Sequence, residues 1–127
     1  MQQKYIYEYA VIRVVPLVER EEFLNAGVIL FCKKEKFIRV QYDLRIDKIL
    51  ALMPNADIDE IGKNLKAFQN IAEGKKESGP IASLDEAERF RWLTAVRSAS
   101  IQTSKTHPGV CDDLETTVEK LFLEMVE

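Results

Sequence analysis

Residues 5–15 read YIYEYAVIRVV, a run of aromatic and β-branched side chains broken only by Glu8, Ala10 and Arg13. Such side chains suit a pleated surface, so the stretch predicts a long β-strand. Ile6, Ala10, Ile12 and Val14 share one face, interrupted by Glu8. Tyr5, Tyr7, Tyr9, Val11, Arg13 and Val15 share the other, and one face is expected to be largely covered. Pro16 ends the strand, because proline cannot donate to a ladder. The rest of the chain must supply partner strands and a covering layer.

Leu17 to Asn25 is a polar connection with Leu17, Val18, Phe23 and Leu24 as apolar anchors. Gly27 then opens GVILFC, a nearly continuous apolar run of the kind a central strand shows. KKEK at 33–36 is a charged turn, and FIRVQY from Phe37 to Tyr42 alternates, so these two runs predict a β-hairpin. Leu44, Ile49, Leu50 and Met53 predict a short helix stopped by Pro54. Asp57 and Glu60 have capping-box spacing for a second helix with the stripe Ile58, Ile61, Leu65, Phe68, Ile71 and Ala72. Gly74 sits where a C-cap glycine belongs. Ser83 and Glu86 repeat the capping spacing before a helix expected to bury Leu84, Ala87, Phe90 and Leu93. Ser100 to Ser104 predicts a short strand with Ile101 and Thr103 facing in. Asp112 or Asp113 caps a last helix with Leu114, Val118, Leu121, Phe122 and Met125 on one face. The pattern predicts an α+β domain over 1–127: an antiparallel sheet of three to four strands with helices packed on one face, in two layers.

A net charge of −3 gives no general attraction to phosphate backbones, so nucleic acid is a disfavoured partner. Tyr5, Tyr7 and Tyr9 on one strand face have the form of a base-stacking surface, but a covered sheet face is the commoner use of such residues. The longest apolar run, Ala26 to Cys32, is far short of a membrane span. The N-terminus lacks the pattern of a secretory signal, and two cysteines make no disulfide framework, so a reduced, cytoplasmic setting is expected.

The segment RSASIQTSKTHPGVCDD, Arg97 to Asp113, holds the single histidine and one of the two cysteines. Cys111 near a helix start has the setting for a lowered thiol pKa, with His107 as a base, yet Asp112 and Asp113 oppose a thiolate there. Cys32, His107 and Cys111 are too few, and wrongly spaced, for structural zinc, so no metal is assigned. No cofactor motif is present, and no catalytic residue is assigned. Arg97, Gln102, Ser104, His107 and Cys111 are instead candidate binding residues on a loop around Pro108-Gly109, together with Arg20, Glu22 and Asn25 at the same end of the sheet. Trp92 is expected to line a groove between its helix and this loop, packing on His107 or Pro108.

YAVIRVVPLVEREEFLNAGVILFC (Tyr9 to Cys32) and ERFRWLTAVRSASIQTSKTHPGVCDD (Glu88 to Asp113) resemble, in order, the two main blocks of the bacterial domain-of-unknown-function family 3037. DLRIDKILALMPNADID, between them, also fits. Many members carry glycine where this chain has Glu21, which puts a sharp turn there in question. The resemblance implies no established activity. It implies a bacterial, intracellular protein and, from members encoded beside HipA-like kinases, a small interaction or regulatory partner of such a kinase. The alternative is a small enzyme or binding module acting on a phosphorylated or nucleotide ligand through Arg97, His107 and Cys111. A homodimer is left open.

Overall fold

Antiparallel pairing around the first strand organises the molecule. The computed structural model describes residues 4–95 and 99–127. Strand β1 (Tyr5–Val14) pairs along one edge with β2 (Leu24–Cys32), which pairs in turn with β3 (Phe37–Tyr42). The other edge of β1 is shared: β4 (Ile101–Thr103) takes its C-terminal half and β5 (His107–Cys111) its N-terminal half. The sheet therefore has five antiparallel strands, more than the three to four expected, because His107 to Cys111 is a strand and not a loop. Its Pro108 is tolerated because β5 lies at the sheet margin.

The α+β class holds, but the helices cover both faces. Ala10, Ile12, Val14, Ile29 and Phe31 face α2 (Ile58–Ala72) and α3 (Glu86–Thr94), joined by Ile49 of α1 (Ile46–Leu52). Val28, Leu30 and Cys32 face α4 (Leu114–Met125) with the three tyrosines of β1. The two-layer, one-face expectation is thus replaced by a sheet between helices. The physical reason is β2, whose alternate residues are buried on both sides and so need two covering layers.

Aspartate side chains cap the starts of α2, α3 and α4. Asp57 accepts from the Glu60 amide and Asp113 from the Thr116 amide. For α3 the cap is Asp85, which accepts from Glu88 N at 2.8 Å, and not the expected Ser83. Ser83 instead donates to the Pro80 carbonyl in a 3₁₀ turn, Pro80–Ser83, and Leu84 is left 36% exposed rather than in the core. At its far end α4 is held by two donors. Asn25 Nδ2 reaches the Met125 carbonyl at 3.0 Å, and Arg45 Nη1 donates to the Val126 carbonyl. A cation there also complements the helix dipole.

The connection from β1 to β2 contains a 3₁₀ turn, Val18–Arg20, closed by Glu21 in the left-handed region at φ 56. The sharp turn survives without glycine, at the steric cost of a Cβ in that region. Glu21→Gly is expected to raise stability by about 0.5–1 kcal/mol, because relief of that strain outweighs the added chain entropy. Chemical denaturation of the two proteins checks this.

Candidate functional site

The register of β5 on β1 decides which functional side chains meet. Cys111 lies opposite Tyr5, Gly109 opposite Tyr7 and His107 opposite Tyr9. These share the α4 side, as a stripe of half-covered rings. Tyr9 sits 5.4 Å from the His107 ring and 6.2 Å from Tyr7. Gly109 has to lack a side chain, because a Cβ there would run into the Tyr7 ring. Along a strand, four residues separate His107 from Cys111 by about 13 Å, beyond hydrogen-bond reach. The proposed thiol–imidazole pair is therefore not assembled. Nor is Cys111 seated on the helix amides, since Asp113 caps them.

Tyr7 sits in an electrostatically perturbing environment. Burial pushes its phenol above the ordinary 10.0, and the charges of Cys111, Tyr9 and Glu124 add to this. The folded chain holds that proton more tightly than the unfolded chain. Stability is therefore undiminished below about pH 10 and falls as pH rises above it. Tyr7→Phe should flatten this alkaline fall, which denaturant midpoints measured against pH would record.

The opposite face of the same strand pair is uncovered. Ile6 and Val110 are cross-strand partners, 74% and 61% exposed, and Glu8 and Pro108 beside them are exposed as well. On β1 itself the buried core of that side begins only at Ala10. A groove of about 630 Å³ opens here, lined by Ile6, Phe31 and Tyr7 with Lys4, Glu8, Lys33 and Lys34 around them. Phe31 stacks on Phe90 at 5.1 Å, which ties the groove to the core. Lys33 and Lys34 are fixed by the β2–β3 turn, closed by Lys36 N to Lys33 O at 3.2 Å.

The remaining candidates sit elsewhere. Arg20 and Glu22 form an exposed ion pair at 2.5 Å beside a small pocket with Leu52 and Pro54. Asn25 is committed to α4 as described, and Gln102 Nε2 to the Ala99 carbonyl at 2.8 Å. Ser104 is buried: its hydroxyl accepts from Val11 N at 2.8 Å and donates to the Lys105 carbonyl at 2.9 Å. These residues lie toward the C-terminal end of β1, whereas His107 and Cys111 lie toward its start, so the described candidates do not form one surface. Arg97 lies outside the described residues. Trp92, 39% exposed, lines a groove with Asn64, Phe68, Ile71 and Ala99–Ile101. It therefore borders the start of the expected segment but not His107 or Pro108. The reason is the sheet itself: His107 packs on Tyr9, on the α4 side.

Sequence reasoning missed Ile6 and Val110. The usable signal was Ile6 next to Glu8 on a face otherwise apolar from Ala10 onward. Among the described residues no three His, Cys, Asp or Glu side chains converge as a metal site would need. No helix is long and apolar enough to cross a membrane, again among the described residues. The family model described as "Protein of unknown function (DUF3037)" matches residues 9–126, starting just after the part of β1 that lines the groove. No curated protein and no solved structure matches the chain.

Proposed function

We propose that this chain, which belongs to the DUF3037 family, is a non-catalytic protein-interaction domain that docks through the open end of its sheet, with a HipA-like kinase as its partner. The observation that supports this is the exposed cross-strand pair Ile6 and Val110, an apolar patch beyond the reach of the helices. Exposed apolar surface on a rigid scaffold, rimmed by polar groups, is the common form of a protein contact site. The kinase is the partner that the family resemblance implies.

The test is retention of a tagged kinase by this chain when the two are co-expressed. Ile6→Asp combined with Val110→Asp should abolish retention. It should cost about 1–2 kcal/mol of folding stability in all and leave the chain folded, because both positions are solvated, although aspartate suits a strand poorly and the two stand opposite each other. Retention equal to that of the wild type would remove the reading.

A further inference from the structure

We infer that the groove beside Ile6 takes a short acidic segment of the partner that carries aliphatic side chains. This rests on the interaction-domain reading above and specifies what docks. The floor asks for aliphatic groups: Ile6 is largely bare, and the mostly buried Phe31 also lines it. The rim asks for negative charge. Lys33 and Lys34 stand on one side of the groove and Lys4 completes the set, against Glu8 alone. Three lysines to one glutamate is a local reversal on a chain of net charge −3.

Among the described residues, neither Lys33 nor Lys34 is engaged in an ion pair. Lys4 meets Asp112 at 2.6 Å, with both side chains at least half exposed, so water screens that pair and an incoming carboxylate can compete for the ammonium. Rim charges of this kind select partners and raise association rates while staying solvated. The groove is also small. About 630 Å³ is room for the side chains of a short segment.

Amide chemical shifts of the isotope-labelled chain, titrated with short synthetic peptides, test the inference. An alternating glutamate–leucine peptide should move Ile6, Phe31, Lys33, Lys34 and Val110. Lysine–leucine and glutamate–serine counterparts should not. Lys33→Glu with Lys34→Glu should weaken the first peptide about tenfold, and added salt should act in the same direction. Equal binding of the lysine–leucine peptide, shifts elsewhere on the surface, or no shifts would overturn the inference. Concentration-dependent shifts at these residues without peptide would do the same, by naming a second copy as the occupant. The kinase experiment separates the two levels. Should the aspartate variant lose the kinase while the charge-reversed lysine variant retains it, the acidic occupant fails and the interaction domain stands. Retention by both variants would overturn both.

Discussion

Phe90→Ala is expected to destabilise the chain by about 3–5 kcal/mol, whereas Trp92→Ala, two residues along the same helix, should cost about 1–2 kcal/mol. Phe90 is 2% exposed and stacks on Phe31 at 5.1 Å, in the layer between the sheet and α2 and α3. Removing its ring leaves a cavity that strands on one side and helices on the other cannot close. Trp92 is 39% exposed at the mouth of the groove between α3, α2 and Ala99–Ile101, so truncation there opens space to water rather than to a void. Thermal unfolding of the two variants side by side gives the comparison. Equal losses would place Trp92 in the core and remove the distinction. Phe90→Ala should also loosen Phe31, and with it the wall of the proposed docking groove.

The second large effect is expected at Gly27. Its backbone is in an ordinary extended conformation, since it is not among the residues with positive φ. Space, and not φ, demands glycine. A Cβ would lie 2.5 Å from the Gln41 carbonyl oxygen and 2.7 Å from Tyr42 Cβ, both on the neighbouring strand. The position also follows the bulge that shifts the β1–β2 register between Ile12 and Arg13. Gly27→Val should force β2 from β3 and cost about 3 kcal/mol, the upper range for overpacking. Denaturant unfolding measures the loss. A cost under about 1 kcal/mol would mean that the strands separate easily there.

Much of this architecture was legible in the residues. The alternation of β1, the hairpin around KKEK, the stripe of α2 and the aspartate caps at 57 and 113 are local signals, and local physics decides them. Two features went unread, for different reasons. Pro108-Gly109 reads as a turn because both residues favour one, yet β5 forms because Gly109 makes room for Tyr7 and the proline stands at a margin. Tertiary contact overrides propensity at that point. The second helical layer had a signal in the run VILFC, where consecutive apolar residues require cover on both sides of the sheet. The candidate site suffered most from reading β5 as a loop. A loop brings His107 and Cys111 together with Arg20 and Asn25, whereas a strand spreads them along the length of β1 and leaves Ile6 and Val110 as the exposed pair.

Hydrogen exchange of the chain alone and in the presence of the HipA-like kinase tests the central claim most directly. The proposed docking face predicts slowed exchange in residues 5–8, 31–34 and 107–111, the segments that frame Ile6 and Val110, with 17–25 and the Trp92 groove unchanged. Protection confined to 17–25 and 99–102, with residues 5–8 exchanging as in the free chain, would contradict it.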